Sequence, residues 1–205
     1  MKFMPLFFKM QGKNVLIVGA GKVAARKAME FLKYEARITV IAPEIDNRLA
    51  ETVGIRLLQR EATENDVSDK FSFVLIATDC KDTNEKIQTK CNELRIPCSR
   101  ADDFTKSDFF SAMNLEKSSI SVSVFCGGTP EISKLLQKRI EEAITPELVE
   151  LGDMFAKLRP EIKKAIPDDI RRKELIASFA NESTLARIRS EGINNIREEL
   201  IKCLS

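Results

Sequence analysis

Continuous apolar runs organise the first half of the chain. Residues 14–18 form such a run, which ends at Gly19, and a helix-forming segment follows Gly21. Similar runs occupy residues 37–41 and 73–77. Continuous rather than alternating runs, separated by helix-length segments, are typical of parallel strands that are covered on both faces. The pattern therefore predicts an α/β fold with a Rossmann-like parallel sheet domain.

The first run is followed by the spacing G-x-G-x-x-A, which falls on Gly19, Gly21 and Ala24. In a dinucleotide site, Gly19 turns the backbone with a positive φ, Gly21 lets bare main chain approach a pyrophosphate, and Ala24 lets helix and strand touch. The helix expected from about Lys22 directs its N-terminal amides at the anion. Glycine turns after buried strands also occur for purely structural reasons, so that alternative stays open here.

Polar residues after the later runs are further cofactor candidates. Thr78 and Asp79 follow the third run, and the carboxyl ends of strands in such sheets face the ligand crevice. The alternative is that Asp79 or Asp82 only caps a helix starting near Thr83. After the second run, the ribose contact is expected to fall to main chain or to Glu44.

Beyond residue 108 the pattern changes to a hairpin followed by helices. Residues 109–113 and 120–125 are the predicted arms, with a charged turn between them. Thr129 and Pro130 mark the start of a helix. The sequence from there on is expected to be helical, with breaks at three prolines: Pro146, Pro160 and Pro167.

Three segments are expected from this change of pattern. Residues 1–108 form the NAD-binding domain, residues 109–145 a β-hairpin dimerisation region and residues 146–205 a helical C-terminal domain. Within the first, the apolar lead at residues 1–8 is expected to pack as an edge segment, because Pro5 disfavours a central strand. A hairpin and a few helices bury too little apolar area alone, so we expect a second copy to cover them in a homodimer.

Composition limits the binding partners and the cellular compartment that we expect for this protein. A net charge of +2 over 205 residues argues against a nucleic-acid binder. No apolar run approaches the roughly 20 residues needed to span a membrane. Histidine is absent, which removes the commonest metal ligand, so no metal site is expected. An odd number of cysteines without a C-x-x-C pair predicts reduced thiols in a cytoplasmic protein: Cys80, Cys91, Cys98, Cys126 and Cys203.

A set of short motifs is spread over roughly the first two thirds of the chain. They are the lead Met4-Pro5-Leu6-Phe7, the glycine fingerprint continued by Arg26-Lys27-Ala28, Thr39-Val40-x-Ala42-Pro43, Ala77-Thr78-Asp79 with Asn84, Asp102-Asp103, and Gly127-Gly128-Thr129-Pro130. Taken together, these motifs resemble the siroheme-synthase amino-terminal family. Its members are precorrin-2 dehydrogenases, and some are also sirohydrochlorin ferrochelatases.

The resemblance implies a homodimer that oxidises precorrin-2 to sirohydrochlorin with NAD and, in bifunctional members, inserts ferrous iron. NAD is expected over NADP, although Arg48 is a candidate for binding a 2′-phosphate. Some members carry a phosphorylated serine where this chain has Cys126, so that control is not expected here. The resemblance assigns cofactor contacts to Lys22, Val23, Pro43 and Glu44 and the catalytic carboxylate to Asp102.

The implied chemistry needs only one proton acceptor. Hydride loss from a reduced tetrapyrrole leaves a cation that the ring delocalises, and iron insertion displaces pyrrole protons. Burial and repulsion from Asp103 are expected to raise the pKa of Asp102 towards the working range. The alternative is that Asp102 or Asp103 only stabilises its loop.

The eight carboxylates of the substrate predict cations around the cleft. For any single cation a solvated helix face is the commoner explanation. The candidates are Arg100, Lys117, Lys134 and Lys138, with Lys106 and Arg139 as further ones.

Two other functions were weighed against the dehydrogenase. A short-chain dehydrogenase is excluded, because Tyr34 is followed four places later by Ile38 rather than lysine. A non-enzymatic NAD-sensing domain is the alternative. Such a domain is expected to carry an acidic tip on the second strand and does not need the Asp102 region.

Overall fold

The computed structural model describes residues 3–204 and divides into two compact units, Met1–Ser111 and Ala112–Ser205. Met1, Lys2 and Ser205 lie outside the described residues, and with them the start of the expected edge segment. The division into three domains stays a prediction.

The first unit is built on a parallel sheet. Its strands are β1 (Asn14–Val18), β2 (Arg37–Ala42), β3 (Ile55–Gln59), β4 (Phe73–Ile76) and β5 (Cys98–Arg100), and its helices are α1 (Lys22–Lys33), α2 (Asn47–Ala50) and α3 (Lys81–Leu94), with 3-10 turns at Glu64–Asp66 and Phe104–Lys106. The five strands lie in the order β3-β2-β1-β4-β5, and all neighbours are parallel. The predicted Rossmann-like α/β class is confirmed. The strand order reverses between β1 and β4, where open α/β sheets bind their ligands.

Both faces of the sheet are covered, which accounts for the continuous apolar runs. On one face Val15 and Ile17 pack in a cluster with Ala24 of α1. On the other face Leu16 packs in a cluster with Ile87 of α3. Because alternate residues of one strand enter two different cores, the strand must be apolar throughout. Each fully buried aliphatic side chain contributes roughly 1.5–3 kcal/mol.

The apolar lead contacts the first unit through aromatic rings rather than through a strand. Residues 3–10 form no strand. The ring of Phe3 lies edge-on to that of Phe110 at 4.3 Å, and the ring of Phe8 lies edge-on to that of Phe73 at 5.4 Å. Such edge-to-face pairs add roughly 0.5–1.5 kcal/mol each to the burial of the rings.

The second unit contains an antiparallel hairpin and five helices within its described residues. They are β6 (Met113–Lys117), β7 (Ile120–Val124), α4 (Pro130–Ala143), α5 (Pro146–Ala165), α6 (Asp169–Phe179), α7 (Glu182–Glu191) and α8 (Ile193–Cys203). Its apolar core joins Leu158 and Ile162 of α5 to Ile188 of α7 and Leu200 of α8. None of the helices in residues 3–204 has the length and apolar character to cross a membrane.

The first arm of the hairpin lies later in the chain than the sequence pattern places it, whereas the second arm, β7, matches the predicted residues 120–125 to within one residue. Its first arm is β6 rather than residues 109–113, and the turn falls at Ser118 and Ser119. The Ser118 hydroxyl donates to one carboxylate oxygen of Asp153 at 2.6 Å, and the Ser119 N–H donates to the other at 3.0 Å. The turn is therefore stabilised by a side chain of α5, which the local pattern does not include.

The predicted break at Pro160 is wrong, because α5 continues through it to Ala165. Proline at this position removes the backbone hydrogen bond to the carbonyl of Ala156. Leu158 and Ile162 flank the proline and are both buried in the core of the second unit. Tertiary packing of that face stabilises the helix despite the lost hydrogen bond.

We expect Gly19→Ala to destabilise the first unit by roughly 3 kcal/mol, as a strained backbone and a forced displacement add. Gly19 has a φ of 101°, and a Cβ there would lie 2.2 Å from the carbonyl oxygen of Ala77. Gly12→Ala is the matched control, since Gly12 has a φ of 74° but a Cβ there meets nothing within 4 Å. Urea unfolding of both variants measures the difference, and equal losses would contradict the close contact at Gly19.

Candidate active site

The glycine turn after β1 has the geometry that an anion site needs. Gly19 has the predicted positive φ of 101°, and its N–H donates to the carbonyl of Ile41 at 2.9 Å. Gly21 precedes α1 in an extended conformation, and no side chain caps the helix. A Cβ on Gly21 would meet nothing within 4 Å. The first amides of α1 are thus open to an anionic group, with Lys22 and Val23 exposed beside them.

The loop after β2 is held against this turn. Pro43 and Glu44 are exposed, and the N–H of Asp46 donates to the carbonyl of Ala20 at 3.3 Å. The Asp46 carboxylate accepts two bonds from the Arg48 guanidinium, at 2.8 Å and 2.9 Å. These bonds, with a smaller contribution from nearby Lys22, lower the pKa of Asp46 to about 2.

Asp46 is a candidate that the sequence analysis missed. The acidic residue is looked for at the tip of β2, whereas here it stands four residues past Ala42, where it caps α2. The only local signal is an aspartate two places before an arginine. Its position beside the glycine turn makes it, with Glu44, a candidate for the ribose side of the cofactor.

The loop after β4 lies next to the glycine turn. The N–H of Ala77 donates to the carbonyl of Val18 at 2.8 Å, and Asp79 is exposed. The N-cap residue of α3 is Cys80, and no side-chain hydrogen bond caps the helix, so neither Asp79 nor Asp82 acts as its cap. Asp79 and Asp82 are therefore not explained by a capping role, whereas the Thr78 hydroxyl accepts the N–H of Cys80 at 3.2 Å.

Asn84 connects this loop to Asp102. The side chain of Asn84 is fully buried, and its amide nitrogen lies 2.9 Å from the carbonyl oxygen of Thr78 and 3.1 Å from Oδ2 of Asp102. The Thr78 hydroxyl lies 2.5 Å from Oδ1 of Asn84. One buried amide thus joins the cofactor side of the crevice to the proposed catalytic carboxylate.

Asp102 is bound by a guanidinium. Nε of Arg100 donates to Oδ1 at 2.9 Å and Nη2 donates to Oδ2 at 2.6 Å. The Asp102 side chain remains 27% exposed. The Arg100 fork, followed by the Asn84 amide, holds the pKa of Asp102 well below its usual range, because both favour the charged form.

The expected rise in the pKa of Asp102 is therefore wrong. The hydrogen bonds from Arg100 and Asn84 outweigh any repulsion from Asp103. The Asp103 carboxylate accepts from the N–H of Thr105 at 3.0 Å and from the Thr105 hydroxyl at 2.5 Å. Those bonds lower the pKa of Asp103 as well. Two adjacent carboxylates thus have separate partners, and both are ionised at neutral pH.

The expected substrate cations are in different environments. The Arg100 side chain is only 2% exposed and is occupied by Asp102, Glu85 and Gln88, which favours a positioning role over a substrate contact. Lys117 of the second unit lies 3.2 Å from the carbonyl of Glu141. Lys134 and Lys138 are exposed on α4. Their contacts with a substrate stay predictions.

A cavity of about 310 Å³ lies in the first unit beside the site. It is bordered by Val23 at the start of α1 and by Ala101, the neighbour of Asp102. Within residues 3–204, Arg26 forms no ion pair, whereas Lys27 is bound to Glu30 at 2.8 Å. The other lining residues are Phe31, Leu75, Ser99, Arg100, Phe109, Phe110 and Ser111. The cavity thus combines the Arg26 guanidinium with aromatic rings. The sequence analysis did not identify Arg26 as a site residue.

Comparison with known proteins identifies the family of the first unit. A family model described as "Putative NAD(P)-binding" matches residues 6–113, which include the whole sheet and Asp102. The chain belongs to this family. The expected nicotinamide cofactor is confirmed at this level, and the glycine turn and the open start of α1 fit an NAD(P) pyrophosphate.

Sequence similarity to curated proteins extends beyond the NAD(P)-binding region. Siroheme synthase 3 of Aeromonas hydrophila subsp. hydrophila is 29% identical over 208 residues, which cover 98% of this chain and 44% of that protein. Siroheme synthase 1 of the same organism is 30% identical over 204 residues, with the same two shares. The chain thus spans less than half the length of these curated relatives. The resemblance to the siroheme-synthase family is confirmed.

A solved structure shares the fold. The protein named "SirC, precorrin-2 dehydrogenase" has a TM-score of 0.75 at 18% identity, with 98% of both chains covered. At that identity the match establishes the architecture, a parallel sheet followed by a hairpin and helices.

We expect Gly21→Val to weaken NAD binding at least about 100-fold while the protein stays folded. Gly21 has a φ of −77° and free space around its missing Cβ, so a side chain fits the apo protein but occupies the approach to the α1 amides. Calorimetric titration measures binding, and thermal unfolding measures stability. Unchanged NAD affinity would contradict the assignment of this turn.

Proposed function

We propose that this chain oxidises precorrin-2 to sirohydrochlorin with NAD, as a step in the biosynthesis of siroheme. The observation that carries the proposal is the Thr78–Asn84–Asp102 connection, which ties an ionised carboxylate to the cofactor side of the crevice through hydrogen bonds of 2.9 Å and 3.1 Å. Support comes from the NAD(P)-binding family and from relatives named siroheme synthase. A sensor domain would not require a carboxylate there.

NAD would be held by three loops at the carboxyl ends of β1, β2 and β4. The α1 amides with Lys22 and Val23 fit the pyrophosphate, Pro43 and Glu44 with Asp46 fit the adenosine ribose, and Thr78 and Asp79 face the nicotinamide side. When bound, the nicotinamide accepts a hydride. The role of the protein is to hold the reacting carbon of the substrate against the nicotinamide ring in the orientation that hydride transfer needs.

Asp102 would act first as a fixed anion and then as the proton acceptor. Positive charge develops on the tetrapyrrole as hydride leaves, and a preorganised carboxylate stabilises that charge. The resulting cation is acidic enough to lose a proton to a carboxylate of low basicity. Because Asp102 is partly exposed, the proton can then pass to water.

The substrate carboxylates would meet cations at the edge of the crevice. Arg26 is the best placed in the first unit, since it lines the cavity beside Ala101 and has no acidic partner among residues 3–204. A free guanidinium can form a bidentate pair with a carboxylate. Lys117, Lys134 and Lys138 are proposed for other carboxylates, and Arg100 is reassigned to Asp102.

Ferrous iron insertion is proposed as a second reaction of the same carboxylate. The described residues include no group of three or more cysteine and acidic side chains that could hold a metal ion. Iron would therefore be a substrate delivered to the macrocycle, and Asp102 would accept the pyrrole protons that it displaces.

We also propose a homodimer formed through the second unit. α4 exposes Ile132, Leu135 and Leu136, spaced to form one stripe, at 52%, 55% and 42%. An apolar stripe of this kind on a helix marks an interface. A second copy of the chain is the partner that the family resemblance implies.

NAD should be preferred over NADP for two reasons. Asp46 binds the Arg48 guanidinium, which is then not free to bind a 2′-phosphate, and the Asp46 carboxylate is itself a negative charge beside the glycine turn. We expect Asp46→Asn, which keeps the α2 cap, to lower the NADP dissociation constant about tenfold relative to that of NAD. Adding Arg48→Gln to this variant should abolish the gain. An unchanged ratio of the two constants would show that Asp46 does not face the ribose.

We expect Leu135→Glu to raise the dimer dissociation constant at least about 30-fold, because a charge would replace an apolar contact. Asn195→Glu, an equal charge on an exposed position of α8, is the control. Sedimentation velocity across micromolar concentrations measures both. A wild-type chain that is monomeric at these concentrations would contradict the proposal.

We expect Asp102→Asn to bind NAD normally and to lose precorrin-2 oxidation, and any iron insertion, by roughly 10²–10⁴-fold. Asp103→Asn is the matched control. Its amide oxygen can still accept the N–H of Thr105, so the local turn is kept and we expect less than about a threefold loss. Anaerobic assays of NADH and sirohydrochlorin formation measure both variants. Near-normal rates for Asp102→Asn would mean that this residue only stabilises its loop.

A further inference from the structure

Arg100 has an unusual environment for a residue next to a ligand crevice. Its side chain is 2% exposed, although it lies at the carboxyl end of β5. Its guanidinium donates to both oxygens of Asp102, to Oε1 of Glu85 at 2.8 Å and to Oε1 of Gln88 at 2.8 Å. A buried guanidinium with this many fixed acceptors can hardly turn towards a ligand.

The anchors of Arg100 are themselves fixed. Gln88 donates through Nε2 to the carbonyl of Lys106 at 2.7 Å, and the Lys106 ammonium lies 2.6 Å from Glu85. The backbone N–H of Arg100 donates to the hydroxyl of Ser107 at 2.8 Å. The guanidinium is therefore tied to α3, and the main chain of Arg100 is tied to Ser107, the residue that follows the 3-10 turn at Phe104–Lys106.

We propose that Arg100 is a positioning residue, whose anchored guanidinium fixes the orientation of the Asp102 carboxylate towards the reacting tetrapyrrole and keeps it ionised. This inference rests on the proposed function for its catalytic consequence. The hydrogen-bonded fork itself is a property of the fold and is testable without turnover.

The other charges near Asp102 do not explain its lowered pKa. From α3 comes Glu85, an anion that opposes it, and from the following turn come Asp103, also an anion, and Lys106, which is bound to Glu85. Asn84 is neutral, and the cavity-lining cations of α1 are Arg26 and Lys27. Arg100 is thus the one described cation in direct contact with the Asp102 carboxylate. It is the largest cause of the lowered pKa of Asp102.

The first test needs no activity. In protein labelled with ¹³C at aspartate carboxyl groups, the Asp102 signal of the wild type should not titrate between pH 7 and about pH 4. In Arg100→Gln the titration midpoint should move up by roughly one to three pH units. Arg60→Gln is the matched control, because Arg60 forms a similar fork with Asp66 elsewhere in the first unit. It should move the Asp66 signal and leave Asp102 unchanged. An unmoved Asp102 midpoint in folded Arg100→Gln would overturn the proposal.

The second test separates orientation from charge. Gln88→Ala removes a neutral anchor at a half-buried position, and Arg100→Lys keeps the charge but cannot form the fork. Both should lower kcat, up to about 10²-fold for Arg100→Lys and several-fold for Gln88→Ala, with KM nearly unchanged. The acid limb of kcat/KM should stay in place for Gln88→Ala and shift upward for Arg100→Gln.

The outcomes distinguish the two proposals. If wild-type protein shows no turnover while the carboxyl titrations behave as expected, the proposed function fails and the fork stands. If Asp102→Asn abolishes turnover while Arg100→Lys and Gln88→Ala keep the wild-type kcat, the positioning role is wrong and the proposed function stands. The Gln88→Ala variant retains both charged partners, so it keeps the test decisive should the Arg100 variants fail to fold.

Discussion

The contact between the end of β1 and the end of β4 is the constraint on which the site depends. At Gly19 the main chain approaches the Ala77 carbonyl so closely that a Cβ would lie 2.2 Å from its oxygen. The same two strand ends are joined by the 2.8 Å bond from the Ala77 N–H to the Val18 carbonyl. Only glycine permits this approach with a φ of 101°. The two strand ends can therefore lie side by side at the point where the strand order reverses, which is where such sheets form their ligand crevice.

From that contact the site extends towards β5 by hydrogen bonds rather than by apolar packing. Thr78 follows directly after Ala77, Asn84 binds the Thr78 carbonyl, and Asp102 binds Asn84. Arg100 then binds Asp102 through its buried guanidinium. A buried polar network of this kind is stable only when every member has partners, and here each one does. The result is a carboxylate with a defined orientation and charge at the place where a tetrapyrrole would meet a nicotinamide.

Much of this arrangement follows from local sequence, because its causes are local. The continuous run before Gly19 requires a strand covered on both faces, and the spacing of Gly21 and Ala24 requires a turn into a helix. The electrostatics of Asp102 could not be predicted in the same way. Its lowered pKa is caused first by Arg100, which is only two residues away, and then by Asn84 of α3. The Arg100 guanidinium is in turn held by Glu85 and Gln88, which α3 brings to it from a distant part of the chain. The position of the hairpin likewise depends on Asp153 of α5. Where a residue's partner lies far away in sequence, the local pattern identifies the residue but not its state.

The central claim is that this chain oxidises precorrin-2 with NAD, and turnover by the wild-type chain tests it most directly. The purified protein would be mixed anaerobically with NAD and precorrin-2, while NADH fluorescence and the absorbance of sirohydrochlorin are followed together. The account predicts that NADH and sirohydrochlorin form in equal amounts over many turnovers. NAD binding without any NADH, even at protein concentrations equal to that of the substrate, would contradict the account and favour a nucleotide-sensing domain.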